Sequence, residues 1–261
     1  MRQSALIALV LFALGGCKTV STIQTARDGS GRVVVYERHE PMVARTVETL
    51  VLIHGWSCNR TVWARVIPNL RDRYRVIAVD LPGHGESPAP TDGFAFGHLA
   101  DAVRLALDDS AVDQAIIVGH SNGCPVAMRF YRNFPERTRA IVAVDGALKH
   151  IFPPEMIAPL IEPYRQDDYL ETATPMIDSL LPRDEPERSR IRKIMRRTPQ
   201  DVMVETFEAS AHPDVFGHGP IDVPVLCYLA EAPFWDAAYR SWIEEHCAEL
   251  TYTVVPDVTH F

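Results

Sequence analysis

Residues 115–123 read Ala-Ile-Ile-Val-Gly-His-Ser-Asn-Gly, and this stretch decides the fold of the chain. It opens with a short Val/Ile-rich run, typical of a strand that is buried on both faces. The residues that follow repeat apolar side chains at helical spacing. Between strand and helix, Gly119 and Gly123 flank Ser121 in the pattern G-x-S-x-G. Because two glycines remove side-chain clashes from a sharp turn, the pattern predicts that the Ser121 hydroxyl stands exposed at the end of the strand.

The rest of the chain repeats this order of short strand and longer helix. Such alternation predicts a parallel sheet with helices on both faces. The predicted strands lie at 32–38, 49–53, 75–79, 115–119, 140–144, 224–229 and 250–255, and the predicted helices lie near 60–70, 95–109, 122–134 and 236–248.

Residues 146–222 break the alternation, because they hold many prolines and one charged stretch but no clear strand. We expect a largely helical cap there, inserted into a core formed by residues 32–145 and 223–261. Residues 17–31 are mostly polar and are expected to form a tether that can end in a first edge strand.

The composition is that of an ordinary globular chain. Of the 261 residues, 47% are hydrophobic and 23% are charged, which argues against disorder, collagen-like repeats and a coiled coil. The formal net charge of −8 argues against general nucleic-acid binding, which needs a basic surface. No CxxC or His/Cys cluster predicts a metal site.

The first seventeen residues read as an export signal. Arg2 precedes the apolar run 5–14, which is long enough for a signal peptide and too short to cross a bilayer. Residues 14–17, Leu-Gly-Gly-Cys, resemble the lipobox of bacterial lipoproteins, which implies cleavage after residue 16 and lipidation of Cys17. We therefore expect an exported protein that is anchored to a bacterial membrane on its periplasmic or outer-membrane side, and Lys18 favours the outer membrane. The alternative is an ordinary signal peptide with an incidental cysteine.

Three further motifs accompany the serine turn. His54-Gly55-Trp56 ends the strand 49–53, the loop 80–87 reads Asp-Leu-Pro-Gly-His-Gly-Glu-Ser, and His260 follows the last strand. Together with G-x-S-x-G they resemble the α/β-hydrolase fold family over about residues 31–145 and 223–261. The resemblance implies an eight-stranded, mostly parallel sheet and a triad of Ser121, an acid and the base His260, with no metal or organic cofactor.

The same resemblance assigns two backbone donors and one structural loop. The N–H groups of Trp56 and Asn122 would hold the oxyanion that forms during acyl transfer. Asp80 precedes the serine in the chain, which is the wrong order for the acid of this fold, so loop 80–87 is expected to be structural.

The acid is the point at which the sequence departs from the family pattern. Pro233 stands where an Asp usually follows the strand 224–229. Some relatives carry the acid after the preceding strand, which here places Asp145 one residue beyond 140–144. Asp145 is therefore the favoured acid, and Glu231 and Asp236 remain alternatives.

Four cysteines and one basic stretch lie outside these motifs. Cys58 and Cys124 follow neighbouring strands of the implied fold, so a disulfide between them is one expectation and two buried thiols are the other; Cys227 and Cys247 carry no assignment. Residues 183–197 hold seven Lys/Arg and three acids, which indicates a solvated helix face or a contact with anionic lipid or substrate. In relatives a helix follows the last strand, so a sequence that stops at Phe261 is expected to be truncated.

These observations predict a serine hydrolase that cleaves an ester or other acyl bond of a small molecule through an acyl-enzyme. Acyl transfer or C–C bond hydrolysis by the same triad is an alternative. A second alternative is an inactive binding or sensor protein on the same fold. Dehalogenase and epoxide hydrolase activities are disfavoured, because those relatives use an Asp nucleophile where this chain has Ser121. The oligomeric state stays open.

Overall fold

Eight strands form one sheet in the computed structural model, which describes residues 21–41, 47–181 and 186–261. Their order across the sheet is β1-β2-β4-β3-β5-β6-β7-β8. Strand β2 pairs antiparallel with both of its neighbours, and β3 to β8 all run parallel. The strands are β1 Ser21–Arg27, β2 Val33–His39, β3 Thr49–Ile53, β4 Arg75–Asp80, β5 Ala115–His120, β6 Thr138–Val144, β7 Val225–Ala230 and β8 Leu250–Val255.

Helices cover the two faces of this sheet unequally. One face packs on α2, α3 and α8, and their apolar side chains join alternate strand residues such as Ile117 and Ile141 in the main core. The other face packs on a 3-10 helix and α1, around Trp63 and Ile67. The helices of this part are the 3-10 helix Arg60–Arg65, α1 Ile67–Leu70, α2 Phe96–Asp109, α3 Gly123–Asn133, the 3-10 helix Pro135–Arg137 and α8 Ala237–His246.

The cap lies between β6 and β7 and has an apolar core of its own, which includes Ile177, Ile191 and Met203. Within the described residues of this insertion the regular elements are helical. They are the 3-10 helix Pro154–Met156, α4 Ile157–Ile161, the 3-10 helix Glu162–Arg165, α5 Tyr169–Leu180, α6 Arg188–Met195 and α7 Gln200–Ala209.

The predicted fold class is confirmed, and each of the seven predicted strands forms within two residues of its expected bounds. The edge strand β1 occupies part of the expected tether, pairing along its whole length with β2. The expected signal peptide, Cys17 and Arg183 lie outside the described residues. In the part that is described, no helix is both long enough and apolar enough to span a membrane.

Candidate active site

The serine turn sits where β5 ends and α3 begins. Ser121 has a φ of 52°, which is rare for a residue with a side chain and marks a strained turn. A Cβ at Gly119 would lie 2.6 Å from the Gly123 carbonyl oxygen, and one at Gly123 would lie 2.5 Å from the Ile53 carbonyl oxygen. Only glycine fits at either position, so the G-x-S-x-G spacing follows from backbone packing beneath the serine.

The two residues expected to supply the oxyanion donors, Trp56 and Asn122, line the same cavity as Ser121. Within the described residues, neither the Trp56 nor the Asn122 N–H donates a backbone hydrogen bond, and both residues line the cavity with the serine. The loop of Trp56 comes close to the serine, since a Cβ at Gly55 would lie 3.0 Å from the Ser121 Cβ. The arrangement leaves two free donors beside a hydroxyl, as acyl transfer requires.

Asp145 and His260 meet at the same edge of the sheet. The His260 Nδ1–H donates to Asp145 Oδ2 at 2.6 Å, and the Ala230 N–H donates to Asp145 Oδ1 at 2.9 Å. Asp145 also has a positive φ of 42°. Burial raises the pKa of the Asp145 carboxyl, but the hydrogen bond and charge of His260 and the Ala230 N–H outweigh it, so the pKa lies below its usual value.

The structure does not bring the two alternative acids to His260. Glu231 is an exposed residue of the cavity lining, one residue beyond β7, and the hydrogen bonds of the described residues do not join it to His260. Asp236 instead caps the start of α8, where its carboxylate accepts a hydrogen bond from the Tyr239 N–H at 2.7 Å.

Among the described residues, the hydrogen bonds do not complete a proton relay from Ser121 through His260 to Asp145. Ser121 and His260 both line the cavity, yet the hydrogen bonds of the described residues include none between the Ser121 hydroxyl and His260. Such bonds are often long until substrate binds, so the geometry is compatible with a base in reach of the serine.

His120 is a site residue that the sequence analysis missed. Its Nε2–H donates to the His260 carbonyl oxygen at 2.7 Å, and the two rings lie 4.7 Å apart between centroids. Burial lowers the pKa of His120 to about 3, so the ring is neutral at pH 7. The motif G-x-S-x-G gives no signal for this contact, because its second position accepts any residue.

A cavity of about 760 Å³ opens beside the serine. It lies between the strand ends, the loop 146–152 and the cap, and its lining is mainly apolar. A cavity of this size and character suits a small organic molecule. The apolar lining includes Ile151, Phe152, Leu160, Met176, Phe207 and Phe234.

The cap is hydrogen-bonded to the loop that carries the Trp56 N–H. The Trp56 indole N–H donates to the Met203 carbonyl oxygen, and the Thr198 hydroxyl donates to the Ser57 carbonyl oxygen, both at 2.9 Å. The Trp56 ring also packs 5.8 Å from the ring of Phe207 in α7. One residue thus supplies a candidate oxyanion donor from its backbone and a cap contact from its side chain.

Loop 80–87 has the structural role expected of it. Asp80 is fully buried, pairs with the Arg60 guanidinium and accepts the N–H groups of Arg60 and Glu86 at 2.7 and 2.9 Å. Its carboxylate lies apart from the hydrogen bonds of His260.

Of the two expectations for Cys58 and Cys124, the disulfide is wrong and two buried thiols are confirmed. Cys58 packs in the cap cluster, whereas Cys124 lies under the serine turn and donates to the Gly119 carbonyl oxygen. The two side chains therefore belong to different cores. Cys227 and Cys247 are also free and buried.

Three of the six described cations of the basic stretch form ion pairs within the cap. Arg188 and Arg192 both contact Asp178, at 2.9 and 2.7 Å, and Arg190 pairs with Glu187. These pairs fit the interpretation of α6 as a solvated helix face, whereas Lys193, Arg196 and Arg197 form no ion pair within the described residues. Among the described residues, no group of three or more His, Cys, Asp or Glu side chains is placed to hold a metal ion.

Comparison with known proteins identifies the class. Residues 48–188, more than half of the chain, match the family model described as alpha/beta hydrolase fold, and the chain belongs to that family. A hydrolase of known structure from Pseudomonas aeruginosa shares the fold with a TM-score of 0.78 and 21% identity, covering 91% of each chain.

Two curated relatives show how varied the family's chemistry is. A pimeloyl-[acyl-carrier protein] methyl ester esterase from Aeromonas hydrophila is 38% identical over 99 residues, which is 38% of this chain and 37% of the esterase. A soluble epoxide hydrolase from Corynebacterium sp. is 36% identical over 103 residues, which is 38% of this chain and 36% of that protein. The chain thus spans little more than a third of the length of either relative.

Proposed function

We propose that this protein is a serine hydrolase that cleaves carboxylic esters of small molecules through an acyl-enzyme. One observation carries the proposal: the hydroxyl of Ser121, two unpaired backbone N–H groups and the hydrogen-bonded pair of His260 and Asp145 all border one cavity. A serine, a base, an orienting acid and two oxyanion donors are the parts that acyl transfer needs.

Each group has a defined task in this proposal. His260 Nε2 takes the Ser121 proton as Oγ attacks the ester carbonyl, and the N–H groups of Trp56 and Asn122 stabilise the resulting oxyanion. The imidazolium then protonates the departing alcohol, which leaves an acyl-serine. Water, deprotonated by His260, attacks this ester and releases the acid. Asp145 holds the Nδ1–H tautomer and stabilises the charged ring throughout.

The lining of the cavity supports esters that carry an apolar group of appreciable size. Side chains such as Ile151, Leu160 and Met176 offer little to a charged chain but bury methylene groups, at about 0.8 kcal/mol each. The ester-cleaving relative supports the same class. Ser121 at the turn argues against the epoxide-hydrolase chemistry of the other relative, for which an Asp nucleophile is expected. Lactones fit the same chemistry, because they are cyclic esters.

Acyl transfer to another acceptor and C–C bond hydrolysis would use the same groups, and an inactive binding protein would keep the cavity without the chemistry. The discriminating experiment pairs a fluorophosphonate label with a panel of p-nitrophenyl esters of increasing acyl length. Wild type should take the label and cleave the longer esters, and Ser121→Ala should lose the label and about 10⁶ in kcat.

A matched control for this experiment is Ser179→Ala, since Ser179 lines the same cavity but its hydroxyl donates to the Met176 carbonyl oxygen. This variant should keep both label and activity. Wild type that takes no label and cleaves no ester would favour the binding protein.

Membrane attachment is a separate proposal that rests on sequence alone. Residues 14–17 support lipidation of Cys17, and two or more acyl chains anchor a protein stably. Cys17→Ser expressed in a bacterium should abolish acylation and move the protein from the detergent phase to the aqueous phase. An unchanged partition would refute lipidation at that residue.

A further inference from the structure

His260, the candidate base, lies on a segment that is poorly held by backbone hydrogen bonds. Strand β8 ends at Val255, and residues 256–259 are exposed. Asp257 has a φ of 55°. Within the described residues, no backbone-to-backbone hydrogen bond involves residues 256–261. The position of His260 therefore depends on contacts made by side chains.

Those contacts come from two directions. Asp145 accepts from the His260 ring, which fixes the tautomer but still lets the ring swing about the hydrogen bond. His120 donates to the His260 carbonyl oxygen at 2.7 Å, which fixes the backbone. The His120 ring packs on the rings of both His260 and Phe261, at centroid distances of 4.7 and 4.9 Å.

His120 is itself rigidly placed. It is the last residue of β5, is 5% exposed, and its ring meets that of Trp63 edge-on at 6.1 Å. A Cβ at Gly55 would lie 3.2 Å from its Nδ1, so the loop that carries the Trp56 N–H packs against its other side. Since the ring is neutral, it donates this hydrogen bond without placing a second positive charge beside the base.

The next residue in the chain is Ser121. The same two-residue stretch of backbone thus carries the nucleophile and the donor that holds the base, so the spacing between them is set across a single peptide bond. A candidate base must lie within hydrogen-bond reach of the proton that it abstracts, and a misplacement of about 1 Å can cost 10² in rate.

We propose that His120 is a positioning residue, which holds the backbone of His260 so that its ring can reach the Ser121 hydroxyl. This inference rests on the proposed function, in which His260 is the base. It assigns a role to the residue before the serine that is distinct from the triad and from the oxyanion donors, because His120 acts through His260 rather than on the substrate.

Three substitutions separate the hydrogen bond from the packing of the ring. His120→Gln keeps an N–H at the place of Nε2. His120→Asn carries its N–H at the place of Nδ1, too short to reach the carbonyl oxygen of His260. His120→Phe keeps an aromatic ring and removes the donor.

We expect His120→Asn and His120→Phe to lower kcat by about 10–100-fold on the best p-nitrophenyl ester with little change in KM, and His120→Gln to restore most of the loss. Thermal unfolding checks that each variant is folded, and the Gln and Asn pair suffices if the Phe variant is not. Wild-type kcat in folded His120→Asn, or an equal loss in Gln and Asn, would overturn the proposal.

A second measurement does not depend on turnover. With histidines labelled with ¹⁵N, the Nδ1 proton of His260 in its hydrogen bond to Asp145 should give a downfield NMR signal, to be assigned by its loss in His260→Gln. We expect that signal to persist in His120→Gln and to weaken by exchange with water in His120→Asn. An unchanged signal in His120→Asn would contradict the positioning role. If wild type cleaves no ester, the proposed function fails while this signal still tests the contact.

Discussion

The serine and the histidine of the candidate site are held in opposite ways. Ser121 sits on a turn packed so closely that glycine is required on either side, and Gly123 lies against the Ile53 carbonyl. His260 sits on an exposed segment and is held by one hydrogen bond to its ring and one to its backbone. The difference teaches that the nucleophile's geometry is a property of the fold, whereas the base's geometry is a property of a few side chains. Changes on the base side should therefore reduce activity at constant stability, and changes to the glycines that pack beneath the serine should reduce stability itself.

Among variants that keep the nucleophile, the largest effect is expected at Asp145, on the base side. In Asp145→Asn the new oxygen can still accept from the Ala230 N–H, so the amide group faces His260 and favours the wrong tautomer. We expect kcat to fall by about 10⁴ while the unfolding temperature stays within about 2 °C of wild type. Steady-state kinetics and thermal unfolding of the same samples check this.

The control for that prediction is Asp236→Asn, because Asn caps a helix as well as Asp does and α8 should be unaffected. Its kcat should match wild type. A collapse of activity in Glu231→Gln, with Asp145→Asn near normal, would move the acid to the strand where the family usually carries it.

On the nucleophile side, Gly123→Ala should act through stability. The added Cβ would lie 2.5 Å from the Ile53 carbonyl oxygen, and overpacking of this kind costs about 1–3 kcal/mol or more. We expect the unfolding temperature to drop by several degrees, about 2–4 °C for each kcal/mol. Gly97→Ala is the control, since a Cβ there meets nothing within 4 Å and Gly97 lies in α2. Equal stability of the two variants would break the comparison.

Low pH should lower the free energy of unfolding, because three buried histidines lie in the core around the nucleophile. Burial lowers the pKa of His54 to about 4 and those of His84 and His120 to about 3, while an unfolded histidine has a pKa near 6.5. Between those values the unfolded chain binds protons that the folded chain does not. The free energy of unfolding should therefore fall as pH drops below about 6.5 and continue to fall to about pH 3–4, by at most about 1.4 kcal/mol per pH unit for each ring.

Urea unfolding at pH 7, 6 and 5 measures this slope. His120→Gln removes one of the three rings. The slope of unfolding free energy against pH should therefore decrease by up to the contribution of one bound proton. A stability that is constant over this range, or a slope that His120→Gln leaves unchanged, would show that these rings do not titrate between the folded and unfolded states as their burial requires.

The smallest effect concerns the contact between the cap and the oxyanion loop. Trp56→Phe keeps the backbone N–H and most of the ring packing but loses the bond to the Met203 carbonyl, so stability should drop by about 0.5–1.5 kcal/mol and kcat by less than about tenfold. Trp235→Phe is a matched control, because the buried Trp235 indole N–H has no hydrogen-bond partner among the described residues. Trp235→Phe should leave the free energy of unfolding unchanged or raise it, apart from the effect of the smaller ring. Equal destabilisation by both changes would mean that ring volume, and not the hydrogen bond, holds the cap.

The sequence predicts the features that depend on local pattern. The strands are recognisable because parallel, buried strands need continuous Val/Ile/Leu runs, and the serine turn because its glycines are sterically required. The preference for Asp145 follows from the resemblance to relatives that carry the acid after this strand, and from reach, since β6, β7 and β8 are neighbours and their ends share one edge.

The features that the sequence does not predict depend on contacts between distant segments. The edge strand expected in the tether could not be given bounds from the sequence, because β1 has one buried residue, Ala26, and so carries no apolar alternation. Cys58 and Cys124 follow neighbouring strands, but their side chains enter different cores, which no spacing reveals. The contact of His120 with His260 joins residues that are 140 positions apart and depends on the path of an irregular segment.

The direction of β1 has a consequence for how the molecule would stand on a surface. Ser21 pairs with His39, which pairs with Val76 near the start of β4, so Ser21 lies at the edge of the sheet opposite to the cavity. Four residues reach at most about 14 Å, less than the roughly 20 Å length of a six-residue strand. If Cys17 is lipidated as proposed, the anchor would join the molecule at the end of the sheet opposite to the cavity. The cavity would then open to the aqueous side, where dissolved esters, rather than lipids still in the bilayer, would meet Ser121.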